Sequence, residues 1–195
     1  IRMTCNSLSL PVAAAVKFTS EGPVLFRQER IGQWGETFTF LKFRSMQVKQ
    51  TENPHKAYIE KLIKENESAN GNSGEAPVFK LTDDPRVTPV GRFIRKTSLD
   101  ELPQLINVLR GEMSLVGPRP PVPYEFEIYD VWHRMRMLSV KPGITGLWQV
   151  YGRSSTNFDE MVRLDLKYVT DWSLWQDIKI ILRTPWAVIV GKGAY

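Results

Sequence analysis

The chain has one cysteine, Cys5, and two histidines, His55 and His133, among its 195 residues. A lone thiol closes no internal disulfide, and two histidines far apart in sequence supply no zinc framework. No run of about 18 apolar residues occurs, so nothing reads as a helix that crosses a bilayer, and no cleavable signal is evident. Internal repeats, heptads, a Walker loop, a Rossmann fingerprint, a nucleophile elbow and a zinc motif are also missing, which narrows the enzyme classes.

What remains is an ordinary globular composition, 42% apolar and 24% charged, of a length that predicts one domain able to bury a core without staples. The net charge of +5 and a pI near 9.3 point to anionic partners: nucleic acid, a phosphorylated substrate or anionic lipid. Residues 8–16 form a short apolar stretch interrupted by Pro11 and closed by Lys17, the length of a buried or half-inserted segment. Its abrupt start suggests a fragment whose preceding membrane part is missing, and a core helix explains the same residues equally well.

Gly22-Pro23 predicts a turn, residues 24–31 a strand, and residues 37–43 a second strand after the Gln33-Trp34-Gly35-Glu36 loop. This hairpin delivers a basic cluster, Lys42-Phe43-Arg44-Ser45-Met46. Asn53 and Pro54 open an amphipathic helix to about residue 67, followed by a polar loop at 68–75 and an Asp83-Asp84-Pro85-Arg86 turn. Pro118-Arg119-Pro120-Pro121 fixes the backbone around one arginine, suited to a phosphate or to a buried ion pair. Residues 124–138 read as one helix, and 141–150 as a Gly-punctuated loop whose glycines admit a ligand or make tight turns. Two helices follow, near Asn157 and from Ser173, the second kinked or broken at Pro185. Its Trp172, Trp175 and Trp186 with Lys179 and Arg183 suit a headgroup region, although a packed core helix has a similar pattern.

The stretch that carries chemistry is Arg95-Lys96-Thr97-Ser98-Leu99-Asp100-Glu101-Leu102-Pro103-Gln104-Leu105, two adjacent carboxylates behind a basic run. Leu102, Leu105, Ile106 and Leu109 recur at three- and four-residue spacing before Gly111, which predicts a helix with both acids in its first turn. Neighbours on a helix point about 100° apart, so these acids cannot share one proton face to face. They can divide the work: one attacks phosphorus and the other holds a divalent cation, while Arg95 and helix-terminal N–H groups neutralise phosphate oxygens. Ser98-x-x-Glu101 also matches a capping box, in which Glu101 merely bonds the backbone of Ser98. Pro103 argues against that cap, because proline prefers the first helical position and would start the helix near Leu102. On composition alone, cap and active site weigh equally.

Taken together, Phe26-Arg27-Gln28-Glu29-Arg30, Lys42-Phe43-Arg44-Ser45-Met46, residues 91–105, residues 114–120, and residues 141–150 with Gly152-Arg153 resemble the bacterial sugar transferase family. These are the monotopic polyprenyl-phosphate sugar-1-phosphate transferases, or phosphoglycosyl transferases. Gly146-Leu147-Trp148-Gln149 and the chain's last residues are similar to the catalytic C-terminal part of undecaprenyl-phosphate galactose or glucose phosphotransferases.

The resemblance implies an α+β fold, mostly helical with a β-hairpin, associated with a membrane from one side. Residues 1–16 would be the remnant of a truncated re-entrant segment and 17–195 the catalytic domain. Such segments break at a Ser-Pro pair; here Leu10 separates Ser9 from Pro11. Asp100 would attack the sugar-linked phosphate of a nucleotide-diphosphate sugar, a UDP-hexose, and polyprenyl phosphate would then accept the phosphosugar. Glu101 would hold Mg2+, Arg95 would contact phosphate, and Arg119, Arg30, Arg44 and Arg153 would bind anions, with Arg119 converging on the pocket of Asp100, Glu101 and Arg95. The implied partners are the nucleotide sugar, the lipid phosphate and the cytoplasmic leaflet of a bacterial inner membrane, with no nucleic acid and with a homodimer allowed. The product would start exopolysaccharide, capsule or O-antigen synthesis. A metal-dependent phosphohydrolase and a non-enzymatic basic module for anionic lipid or nucleic acid are the rivals.

Overall fold

A computed structural model of the chain describes residues 2–47, 86–152 and 158–190. The helix expected at 53–67, the loop at 68–75, the Asp83-Asp84-Pro85 part of the turn and Arg153 lie outside the described residues.

The hairpin forms where expected, with alternation of apolar and polar residues confined to its second strand. Strand β1 (Leu25–Ile31) pairs antiparallel with β2 (Thr37–Phe43), with Leu25 opposite Phe43 and Ile31 opposite Thr37. One face therefore carries Leu25, Leu41 and Phe43, and the other Phe26, Arg30, Phe38 and Phe40. A 3-10 turn, Gln33–Gly35, joins the strands with Trp34 at φ 60° and Gly35 at φ 82°.

Helix α1 (Arg2–Thr19) runs through Pro11 and buries Val12 and Val16 against Phe43 and Ile94 on the first hairpin face. A boundary after residue 16 thus falls inside the helix. Among the described residues, no helix is long and apolar enough to cross a membrane. Helix α2 (Pro89–Lys96) starts with proline at its first turn and the Thr88 hydroxyl accepting the Gly91 N–H at 2.9 Å. Gly91 is obligatory there, because a Cβ would stand 2.0 Å from the Ser45 carbonyl oxygen.

A 3-10 turn (Leu99–Glu101) leads to helix α3 (Gln104–Leu109), which stops at Gly111 with φ 78°, as the sequence predicts. Strand β3 (Ser114–Val116) then pairs in parallel with β4 (Gly143–Thr145). The 141–150 region is therefore a strand followed by helix α6 (Leu147–Tyr151), and not a loop. Its glycines admit backbone: a Cβ on Gly143 would stand 2.1 Å from the Gly117 nitrogen.

The single helix expected over 124–138 is two, α4 (Pro123–Glu127) and α5 (Val131–Ser139). Asp130 is extended between them, and its N–H is taken by His133 Nδ1 at 3.2 Å, which ends one ladder and starts the next. His133 Nδ1 thus accepts, so Nε2 carries the proton and donates to Asp159 at 3.2 Å. Helices α7 (Phe158–Thr170) and α8 (Leu174–Val190) complete the chain; α8 continues through Pro185 and is not broken there.

The buried side chains form clusters around Val12, Val16, Phe43 and Ile94, around Tyr129, Trp148, Phe158 and Val162, and around Val116, Tyr168 and Ile180. Between α5 and α7 lies a buried ion pair, Arg136 to Asp165 at 2.6 Å, with the second Arg136 nitrogen on the Tyr129 hydroxyl at 2.9 Å. The architecture is α+β, with a second, two-stranded parallel sheet that the sequence did not announce.

Candidate active site

The two carboxylates precede the helix and lie outside its first turn. A 3-10 helix repeats every three residues, so Leu99 and Leu102 fall in line while Asp100 and Glu101 diverge from them and from each other by about 120°. Both leucines pack against the Val12, Val16, Phe43 and Ile94 cluster. The turn is thereby bolted to the core on either side of the acids. Asp100 is buried, 6% exposed, and Glu101 is half-buried.

The capping reading of this turn fails on both of its bonds. The Ser98 side chain caps nothing, and the Ser98 N–H, which Glu101 would have accepted, donates to the Arg95 carbonyl at 3.2 Å. Ser98 instead holds φ 55° and ψ 19°, a left-handed conformation that costs a non-glycine residue about 1–2 kcal/mol. Strain of this kind persists where surrounding structure over-determines it, typically beside a functional group.

Helix α3 reverses the face its apolar spacing predicts. Gln104 and Asn107 are buried, whereas Ile106 is partly exposed and Leu109 is 81% exposed. Asn107 explains the reversal: its side-chain oxygen accepts the Leu41 N–H at 3.2 Å and its nitrogen donates to the Thr39 carbonyl at 2.7 Å. The amide pairs with the free edge of β2 as a neighbouring strand would. It fixes α3, and the acidic turn ahead of it, on the hairpin. Sequence reading missed Asn107 because the only signal was one amide among apolar neighbours.

A second group gathers on the other hairpin face. Arg30 is buried over the Phe40 ring, donates to Gln28 at 2.8 and 3.1 Å and to the Pro120 carbonyl at 2.9 Å, and Ile31 N–H bonds the Pro121 carbonyl at 2.9 Å. The proline-fixed loop is thus laid along the end of β1, with Arg119 held half-buried beside Arg30. Burial, and then the Arg119 charge, bring the Arg30 guanidinium down to about 10, with Glu125 opposing. Arg119 has no hydrogen-bonded or ion-paired partner among the described residues. Arg30 thus feels one like charge, Arg119, and one opposite charge, Glu125.

Arg44 has different partners from the phosphate expected of it. It donates to the Pro23 carbonyl, to the Ser20 carbonyl at 2.7 Å and hydroxyl at 2.9 Å, and to the Val16 carbonyl at 3.3 Å. It caps the C-terminal end of α1, where a cation also suits the helix dipole. Arg95 lies on α2 immediately before the acidic turn and is half-buried.

For magnesium, no three His, Cys, Asp or Glu side chains gather among the described residues. That donor set still fits, because Mg2+ is commonly held by one or two carboxylates with the remaining ligands from water and substrate phosphates.

The acidic turn sits against the Val12, Val16, Phe43 and Ile94 cluster on one hairpin face and Arg119 stands beside Arg30 at the other, so the contacts of the described residues bring Arg119 to Arg30 and not to Asp100, Glu101 and Arg95 as expected. The model of the bacterial sugar transferase family matches residues 2–191. Galactosyl transferase CpsE of Streptococcus agalactiae is 52% identical over 174 residues, covering 89% of this chain and 36% of that protein. The undecaprenyl-phosphate galactose phosphotransferase of Salmonella typhimurium is 47% identical over 99% of this chain and 40% of its own length, and the exopolysaccharide production protein ExoY of Rhizobium meliloti is 44% identical over 97% and 80%. The chain belongs to the bacterial sugar transferase family. It spans well under half of the first two relatives.

Proposed function

We propose that the protein transfers a hexose 1-phosphate from a nucleotide-diphosphate sugar, a UDP-hexose, to undecaprenyl phosphate, on the cytoplasmic face of a bacterial inner membrane. The family match over residues 2–191 carries this reading, and the relatives named for galactose or glucose phosphotransfer support it.

An Asp100 carboxylate oxygen attacks the sugar-linked phosphorus; the P–O bond to the nucleoside monophosphate breaks, and that oxygen leaves with the electron pair. A phosphate oxygen of the lipid then attacks the same phosphorus and Asp100 departs as carboxylate, giving a lipid diphosphate sugar. Burial keeps water from competing at Asp100. Arg119 beside Arg30 binds phosphate oxygens, and Arg95 does so from α2. Glu101, diverging from Asp100, would hold Mg2+ together with the diphosphate, and the chemistry that ion would supply is compensation of the charge on the leaving phosphate.

Incubation with nucleotide sugar alone should release nucleoside monophosphate and leave a phosphosugar mass on Asp100, and Asp100→Asn should abolish both. Turnover of that variant at the wild-type rate sinks the covalent mechanism. Chelation of divalent cations should stop turnover and readdition of magnesium should restore it; full activity in chelator removes the metal from the scheme. Product analysis with and without lipid phosphate separates transfer from hydrolysis.

A further inference from the structure

Three buried polar side chains, Asp100, Gln104 and Asn107, come from the acidic turn and α3, both of which lie against β2. Asn107 is satisfied in full. Its amide oxygen accepts the Leu41 N–H, and its amide nitrogen gives one hydrogen to the Thr39 carbonyl and the other to a Glu112 carboxylate oxygen at 2.6 Å. Gln104 is different. It is only 2% exposed, yet its side chain makes no hydrogen bond among the described residues. Neither of its amide atoms is sealed from solvent, so the little surface that the residue keeps falls on the amide. Burial strips water from an amide, and without a partner that loss is uncompensated. If packing were the only demand, methionine or leucine would meet it better. A buried stem with an open, unpartnered tip suits a ligand group that arrives from outside.

The backbone says where that group lies. Leu102 and Pro103 are right-handed helical, the Leu105 N–H bonds the Leu102 carbonyl at 3.1 Å, and the Ile106 N–H bonds the Pro103 carbonyl at 3.0 Å. The acidic turn and α3 are therefore one continuous rod. Four residues at a rise of about 1.5–2.0 Å set the Gln104 backbone roughly 6–8 Å past that of Asp100. Side chains on a helix lean toward its N-terminus, so the Gln104 amide reaches back toward the level of Asp100. Asn107 and Glu112 lock the far end of the rod on β2 and so hold this spacing. An amide both donates and accepts, which matches a hydroxyl, whereas an ionised phosphate oxygen only accepts.

We propose that the Gln104 amide binds a hydroxyl of the hexose in the nucleotide-diphosphate sugar and thereby helps to select that sugar. The inference rests on the proposed transferase reading and deepens it. Its test pairs Gln104→Met, which keeps the length of the side chain and removes the amide, with nucleotide hexoses that lack one hydroxyl at a time. For wild type, kcat/KM for nucleoside monophosphate release should fall about tenfold on one of these deoxyhexoses. Gln104→Met should be about tenfold slower on the intact sugar and should treat that sugar and the deoxyhexose alike. Its melting temperature should hold or rise, because no bond within the protein is lost.

Equal discrimination by the two proteins on every analogue overturns the proposal. So does a variant that melts lower while its discrimination stays intact, which makes Gln104 a packing residue. A loss that follows a nucleotide sugar with 2′-deoxyribose, and no deoxyhexose, puts the contact on the nucleoside and overturns the hexose assignment. Wild-type protein that releases no nucleoside monophosphate from any intact nucleotide hexose overturns the transferase reading itself, whereas normal wild-type turnover matched by Gln104→Met overturns this inference alone.

Discussion

Arg136, between α5 and α7, is buried with the Asp165 carboxylate, the Tyr129 hydroxyl and two aromatic rings around it. Arg30, on β1, is buried over one ring, and the charge it feels most is a second guanidinium, Arg119. Burial alone therefore does not separate structural charge from functional charge. What separates them is the sign of the neighbours: opposite charges close a network that needs no visitor, and like charges leave a deficit that an anion fills. The Asp100 turn carries strain of its own, with Ser98 left-handed and no cap bond from the Ser98 side chain.

Crossing the two sites gives the largest expected effects. Asp100→Asn should abolish transfer with only modest loss of stability, since Ser98 supplies no cap that depends on the acid. Arg136→Met should do the reverse. Removing one partner of a buried pair costs about 3–5 kcal/mol, roughly 10 °C in melting temperature for a chain of this size, while turnover per folded molecule persists at low temperature. Thermal unfolding and single-turnover assays on both proteins check this, and an Arg136→Met enzyme that melts normally but is inert would erase the distinction.

The next effect is a pH slope. Burial, opposed by Arg136, pushes the Asp165 carboxyl up to about 6 from its ordinary value near 3.8, while against its own burial Arg136 is raised by Tyr129 and then by Asp165. The folded protein therefore holds this proton more tightly than the unfolded chain does. Asp165 contributes stability that is fully present below about pH 4 and lost as pH rises through about 6, on the order of 2–3 kcal/mol. Other carboxylates slope the opposite way, so the readout is wild type minus Asp165→Asn in urea unfolding across that window. Parallel curves for the two proteins would place the pair's desolvation too high.

Local pattern reached some of this and not the rest. The hairpin was legible within a residue because alternation in its second strand is a period-two signal, and Gly111 marked its helix stop. The left-handed Ser98 was not, since no glycine announces it, and the apolar spacing of α3 misled because Asn107 answers to the edge of β2 and not to a helical stripe. Strands β3 and β4 are three residues each, too short to show a period, and their pairing joins distant segments through Gly117 and Gly143. The tie between Arg119 and Arg30 likewise spans 89 positions of sequence. The residue types at the candidate site were readable, and their company was not.

Arg119 gives the smallest effect and the sharpest division. If it is the open half of an anion site, Arg119→Ala removes a charge-assisted contact to phosphate, worth about 1.5 kcal/mol or more, and raises KM for the nucleotide sugar roughly tenfold. The same change takes a like charge away from Arg30, whose own bonds to Gln28 and Pro120 stay intact. Melting temperature should therefore hold or rise slightly, opposite in sign to Arg136→Met. Arg119→Lys keeps the charge and loses the two-pronged geometry, so it should recover part of the KM and none of the melting gain. A fall in melting temperature comparable to that of Arg136→Met, with KM unmoved, would mean that Arg119 holds the proline loop against β1 and would return it to the structural arginines.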